Sequence, residues 1–183
     1  MPNAFIIHGV GGTPQENWFP WLKSQLEQLG YQVFIPQFTT PEGQNLENWL
    51  ATFKDYEKNI NEESIIIGHS LGVPFAINLI EKHKFKSAFL VAGFVGSTGN
   101  IFEEGMKTFT HRDFDWEKIN ENCQKFYIFN SDNDPYVQPE KGQELKSKLK
   151  NSELITVKGA GHLNQSAGYT KFPLLLTKIK EAF

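Results

Sequence analysis

Hydrophobic residues along the chain are concentrated in six short runs, which are separated by longer segments of mixed polarity. Each run is rich in Ile, Val and Phe and is bounded by Gly, Pro or polar residues, which predicts a buried β-strand. Because the runs are almost continuously apolar, they are typical of parallel strands covered on both faces. The predicted strands are residues 4–8, 32–36, 64–68, 87–92, 125–130 and 153–157.

The segments between these runs have the spacing of amphipathic helices. In the first of them Leu22, Leu26 and Leu29 fall on one helical face, and Gly30 stands where a helix would end. Similar patterns occupy residues 46–53, 73–80, 145–149 and 172–179. Alternating strands and helices, with no repeat or linker, predict one α/β domain over residues 1–183.

Residues 93–110 do not fit this alternation of strands and helices, because the segment is glycine-rich and only weakly periodic. It predicts an irregular loop, and loops of this length in a compact domain usually have a function or are mobile. The apolar side chains of Phe94, Phe102, Met106 and Phe109 either line a site or belong to the core, and the pattern does not decide between these alternatives.

Composition and charge limit the binding partners and the cellular compartment that we expect for this chain. The chain has 183 residues, a net charge of -3 and a pI near 6.0, so we expect neither nucleic acid nor an anionic membrane as partner. Its single cysteine, Cys123, fits a reducing compartment. The first eight residues lack the basic region and the apolar length of a signal peptide, so we expect a cytoplasmic protein.

The strongest local motif is Gly68-His69-Ser70-Leu71-Gly72, which matches G-x-S-x-G. It directly follows a predicted strand and precedes a predicted helix with proline in its first turn. In that context the motif predicts a sharp turn that holds the Ser70 hydroxyl above the sheet as a nucleophile. The alternative is that Ser70 only caps the helix.

A nucleophilic serine needs a general base and an acid that orients it, in the chain order Ser, acid, His. His162 follows the last predicted strand in a glycine-rich loop and is the predicted base, whereas His111 is expected on the surface. Asp132 and Asp134 both follow the fifth strand. We favour Asp134, which precedes a proline, as the orienting acid, and Asp132 remains the alternative. No further ligands are spaced to complete a metal site, so neither metal nor cofactor is expected.

An oxyanion hole requires two backbone N–H groups. Leu71, which follows the nucleophile, should supply one of them. The loop after the first strand should supply the other, with Val10 as first choice and Gly9 and Gly11 as alternatives. This loop does not form G-x-G-x-x-G, and no acid follows the second strand, which argues against a dinucleotide site.

Together these motifs resemble the small serine hydrolases related to retinoblastoma-binding protein 9, a compact branch of the α/β-hydrolase superfamily. The resemblance implies a six-stranded, mostly parallel sheet of order 2-1-3-4-5-6, with helices on both faces and no large lid. It also implies Ser70, Asp134 and His162 as the triad. The Leu-x-Cys-x-Glu stretch used for pocket-protein binding is absent, so that binding is not implied here. The matching stretches are His8-Gly9, the Ser70 motif, residues 116–119 with Asn122-Cys123, residues 131–135 and Gly161-His162.

The predicted function is therefore that of a serine hydrolase resembling a carboxylesterase. It would cleave a small ester, or less readily an amide, through an acyl-enzyme on Ser70. Two alternatives stay open: a hydrolase fold that has lost catalysis and binds proteins, and an acyltransferase that uses the same intermediate. The physiological substrate and the oligomeric state are not determined by these patterns.

Overall fold

The computed structural model describes residues 1–182, which form a six-stranded sheet with the order β2-β1-β3-β4-β5-β6. Every neighbouring pair of strands is parallel. The predicted strands and their order are confirmed. The strands are β1 Asn3–Ile7, β2 Gln32–Phe34, β3 Ile65–His69, β4 Phe85–Val91, β5 Cys123–Ser131 and β6 Ser152–Val157.

Helices cover both faces of this sheet, because successive side chains of each strand enter different cores. In β1, Phe5 and Ile7 pack into one core, and Ala4 and Ile6 pack into the other. The first core is completed by α2, α3, α4, α5 and α6, and the second by α1 and α7. The helices are α1 Phe19–Gln28, α2 Leu46–Glu57, α3 Gly72–Ile80, α4 Glu103–Thr110, α5 Trp116–Asn122, α6 Pro139–Lys148 and α7 Pro173–Glu181.

The segment predicted as an irregular loop, residues 93–110, is only partly irregular. Its second half forms α4, so the prediction of a loop up to residue 110 is wrong. Phe102, Met106 and Phe109 recur at helical spacing, and the latter two are buried on the face of α4 that contacts α3. The helix has eight residues and includes a glycine, so its pattern is weak and its stability depends on this packing.

The parallel sheet brings the predicted functional residues to a single edge. The loops that follow β1, β3, β5 and β6 all leave the carboxyl ends of their strands. In open α/β sheets this edge is where ligands bind. Between β3 and β4 lies α3, which is buried along its whole length and therefore holds the turn at its start in a fixed position.

Candidate active site

Ser70 occupies a strained turn between β3 and α3. Its φ is 55°, a left-handed conformation that residues other than glycine seldom adopt. Its amide donates to the Val91 carbonyl at 2.9 Å, which ties the turn to the neighbouring strand. A Cβ on Gly72 would collide with the carbonyl of Ile7, and one on Gly68 would lie 2.6 Å from the Gly72 carbonyl oxygen. The two glycines of the motif are therefore required by close backbone approach, which leaves Ser70 half-buried at the sheet edge.

His162 and Asp134 form a hydrogen-bonded pair in the loops after β6 and β5. The Nδ1 atom of His162 lies 2.7 Å from Oδ2 of Asp134, whose side chain is completely buried. The other carboxylate oxygen accepts the amide N–H groups of Tyr136 at 2.8 Å and Val137 at 3.1 Å. Since a carboxylate oxygen accepts hydrogen bonds, Nδ1 of His162 carries the proton and donates it to Asp134. The Nε2 atom is then left to accept a proton.

Asp132 takes part in a different contact. Three consecutive side chains, from the last residue of β5 and the two residues after it, accept hydrogen bonds from three consecutive backbone amides in the loop that leads to His162. The pairs are Ser131 with Ala160 at 3.1 Å, Asp132 with Gly159 at 2.7 Å and Asn133 with Gly161 at 2.8 Å. The structure therefore brings Asp134 to the His162 ring and uses Asp132 to hold the His162 loop.

Two buried ring N–H groups hold the other side of the same loop. His69 Nε2 lies 3.0 Å from the His162 carbonyl oxygen, and Trp18 Nε1 donates to the Leu163 carbonyl at 3.0 Å. Burial lowers the pKa of His69 to about 3, so the ring is neutral. Since a carbonyl can only accept, the proton lies on Nε2. This use of His69 and Trp18 was not predicted, because neither is near His162 in the sequence.

A second neutral histidine shapes the loop after β1. His8 Nε2 accepts the Phe38 amide N–H at 3.0 Å, so the proton lies on Nδ1, which is 2.8 Å from the Gly9 carbonyl oxygen. Burial lowers the pKa of His8, which agrees with an uncharged ring. The loop crosses directly over the candidate nucleophile, since a Cβ on Gly9 would lie 2.9 Å from Ser70 Cβ.

The amides proposed for an oxyanion hole differ in availability. Gly11 donates its N–H to the Thr40 hydroxyl at 2.7 Å and is therefore engaged. The hydrogen bonds of residues 1–182 include none donated by the amides of Leu71 or Val10. Val10 lines the cavity described next. Leu71 and Val10 therefore stay the predicted donors, with Gly9 as the alternative.

Ser70 and His162 share a cavity of about 560 Å³, a volume within the usual range of ligand-binding clefts. Part of the lining is apolar: Phe94, Phe102 and Met106 come from the segment that ends in α4. The sequence did not decide whether these apolar side chains line a site or belong to the core. Phe94 and Met106 do both, whereas Phe109 packs in the core alone. A second part of the lining is polar and comes from residues 16–17 and 164–166.

The apolar part of the lining is held in place through α3. The side-chain amide of Asn78 donates to the Phe109 carbonyl at the end of α4, at 3.2 Å. Arg112 donates to both Asn78 and Glu81, which ties the chain beyond α4 to the same helix. Since Ser70 lies two residues before α3, the candidate nucleophile and this wall are both attached to the same buried helix.

The structure also describes the groups that a thiol nucleophile, a metal site or a membrane span would require. Burial raises the pKa of the Cys123 thiol to about 12, so this cysteine is not a reactive thiolate. Within residues 1–182, no three His, Cys, Asp or Glu side chains are grouped as a metal site would require. No helix in that range has both the length and the apolar character to cross a bilayer.

Comparison with known proteins agrees with this geometry. The profile of the serine hydrolase family matches residues 4–181, and the chain belongs to that family. It is 30% identical to the serine hydrolase RBBP9 of Rattus norvegicus over 97% of this chain and 93% of the relative. It is 28% identical to the YdeN protein of Bacillus subtilis over 98% of this chain and 95% of the relative.

Solved structures show the same architecture. The crystal structure of the ydeN gene product superposes with a TM-score of 0.93, at 28% identity, and the match covers 100% of this chain and 99% of that one. Est1E of Butyrivibrio proteoclasticus with ferulic acid bound superposes with a TM-score of 0.72 over 98% of this chain and 90% of that one. At 16% identity the second match supports the α/β-hydrolase fold alone.

Proposed function

We propose that this protein hydrolyses carboxylic esters, and amides less readily, through an acyl-enzyme on Ser70. One observation carries the proposal: the His162–Asp134 pair opens onto the same cavity as a serine in a strained strand-to-helix turn. A serine hydroxyl is a weak nucleophile until a neighbouring base removes its proton, and a base held by a buried carboxylate meets that need.

In the first half of the reaction, Ser70 Oγ attacks the ester carbonyl carbon while His162 Nε2 accepts the hydroxyl proton. The negative charge that develops on the carbonyl oxygen is stabilised by the amides of Leu71 and Val10. Asp134 stabilises the imidazolium. His162 then donates its proton to the leaving alcohol oxygen, the carbon–oxygen bond breaks, and the acyl group remains on Ser70.

In the second half, water takes the place of the alcohol. His162 accepts a proton from the water, whose oxygen attacks the acyl carbon, and the proton then returns to Ser70 Oγ as the carboxylic acid leaves. If a second alcohol enters instead of water, the same intermediate yields a transferred ester. Product analysis with added alcohol distinguishes an acyltransferase from a hydrolase.

Covalent labelling by a fluorophosphonate probe tests the proposal. We expect folded wild-type protein to be labelled, while Ser70→Ala and heat-unfolded wild type are not. Circular dichroism of Ser70→Ala should show that the variant is folded. Wild-type protein that is folded yet unlabelled would contradict an activated Ser70 and favour a protein-binding role on a hydrolase fold.

A further inference from the structure

The apolar lining of the cavity above Ser70 includes two buried side chains as well as the exposed Phe102, whereas the polar lining from residues 164–166 is mostly exposed and is called the open, polar end. Phe94 and Met106, from the segment before and within α4, are only 1% and 3% exposed. Gln165 and Ser166, in the 3-10 turn Gln165–Ala167 that follows His162, are exposed. A substrate with two different substituents on its reacting carbonyl would therefore meet two different environments.

The polar end has several groups that can bind a ligand. Within residues 1–182 the side chains of Gln165 and Ser166 make no hydrogen bond to other residues. The side-chain oxygen of Asn164 accepts the Ala167 amide N–H at 3.1 Å, which leaves the side-chain NH₂ group as a donor. Amide and hydroxyl side chains both donate and accept, and so do the hydroxyl groups of an alcohol.

Glu16 adds a carboxylate to this end and is held there by its neighbours. Its Oε1 accepts the Asn17 side-chain amide at 3.1 Å, and Asn17 Oδ1 accepts the Gln165 backbone amide at 2.8 Å. Partial burial raises the pKa of Glu16. Among the ion pairs of the described chain none involves Glu16, so hydrogen-bond donors on a ligand would stabilise its carboxylate.

On the basis of the proposed esterase function, we infer that the substrate joins an apolar acyl chain to a polyhydroxylated alcohol such as glycerol or a sugar. The acyl chain would lie against Phe94 and Met106, where its removal from water is favourable. The alcohol would lie at the open end, because its leaving oxygen must approach His162 and the chain continues from His162 directly into residues 164–166. At the open end the hydroxyl groups of the alcohol stay partly hydrated, so binding does not require their full desolvation.

An ester with a cationic alcohol fits this lining less well. Only Glu16 among the polar residues at the open end bears a charge, whereas Asn164, Gln165 and Ser166 are neutral groups that match hydroxyls in donor and acceptor capacity. Hydrogen bonds to these neutral side chains would also provide specificity. An alcohol without hydroxyl groups would leave the side chains without hydrogen-bond partners.

The experiment compares three butyrate esters that differ in the alcohol: glyceryl monobutyrate, propyl butyrate and butyrylcholine. The ratio of kcat/KM for the glyceryl ester to that for the propyl ester is measured for wild type, Glu16→Gln, Gln165→Ala and the control Glu62→Gln. Glu62 is an exposed glutamate that does not line the cavity.

We expect a wild-type ratio of about ten, equal to about 1.4 kcal/mol of differential stabilisation. The ratio should fall toward one in Gln165→Ala, fall less in Glu16→Gln, which keeps a side-chain oxygen as acceptor, and stay unchanged in Glu62→Gln.

A wild-type ratio near one, or a preference for butyrylcholine that Glu16→Gln removes, would overturn the inference while leaving the esterase function intact. Fluorophosphonate labelling of Ser70 without hydrolysis of any of the three esters would also overturn it. Absence of both labelling and hydrolysis would instead reject the esterase function on which the inference depends. Labelling and hydrolysis together therefore distinguish failure of this substrate class from failure of the esterase function.

Discussion

The ring of His69 and the main-chain carbonyl of His162, 93 residues apart in sequence, are joined by a 3.0 Å hydrogen bond. The residue next to the candidate nucleophile thus holds the backbone of the candidate base. Trp18 holds the following carbonyl in the same manner. Because both donors are buried rings, the position of His162 depends on packing beneath the site as well as on Asp134.

Removing the His69 donor should impair turnover more than binding. In His69→Phe the ring is retained but the His162 carbonyl loses its partner, so we expect kcat to fall about ten- to a hundredfold with little change in KM. The loss of stability should be about 1–3 kcal/mol. His69→Gln restores an N–H donor and should recover part of the kcat. Equal kcat values for the two variants would show that the hydrogen bond is not what positions His162.

The two candidate acids should respond very differently to the same substitution. Asp134→Asn removes the charge that stabilises the His162 imidazolium and should lower kcat by about 10⁴-fold, as in other serine triads. Asp132→Asn keeps an oxygen that can accept the Gly159 amide and should cost less than about tenfold. Steady-state kinetics on a short-chain ester tests the pair. A larger loss in Asp132→Asn would mean that Asp132 is the acid.

Acid should destabilise the protein through its neutral histidines. Burial lowers the pKa of His69 to about 3 and also lowers that of His8, whereas the ordinary value is 6.5. Between about pH 6.5 and the lowered pKa, the unfolded chain binds a proton that the folded chain does not. The free energy of unfolding should therefore fall as the pH drops through this window, by up to about 1.4 kcal/mol per pH unit for each histidine.

Urea denaturation at several pH values between about 7 and 4 measures this dependence. The matched variant is His69→Gln, which lacks one of the two titrating rings and should show a shallower decline than wild type. An identical pH dependence in the two proteins would show that His69 does not remain neutral in the folded state.

Adding a methyl group at Gly9 should disturb the reaction centre. The Cβ of Gly9→Ala would lie 2.9 Å from Ser70 Cβ and 3.4 Å from its Oγ, so the loop after β1 must shift. We expect kcat/KM to fall about a hundredfold or more, as for loss of an oxyanion donor. Gly30→Ala is the control: it places alanine at a φ of 88° in open space, far from the site in sequence. It should cost about 1 kcal/mol of stability and leave kcat/KM unchanged. Similar kinetic losses in both variants would contradict a local effect at Ser70.

Much of the fold follows from local pattern. Each strand is short, apolar and bounded by turn residues, so its membership of a doubly covered parallel sheet follows from its own composition, whereas the order of the strands was implied only by the family resemblance. The Ser70 turn is also recognisable from its own motif, since Gly68 is required by a backbone contact within the motif, although Gly72 is required by the approach of β1. By contrast α4 was missed because its eight residues include Gly105 and are helical through packing on α3 rather than through propensity.

The sequence by itself thus determined the sheet, the turn at Ser70 and the chain order in which an acid and a histidine should follow. Only the tertiary structure decided that Asp134, rather than Asp132, contacts His162, that His69 and Trp18 hold the same loop, and that Glu16 meets residues 164–166 at the cavity. These relationships depend on hydrogen bonds between segments that are distant along the chain. Sequence periodicity reports which face of an element is buried, but it does not report which polar groups meet when the elements pack.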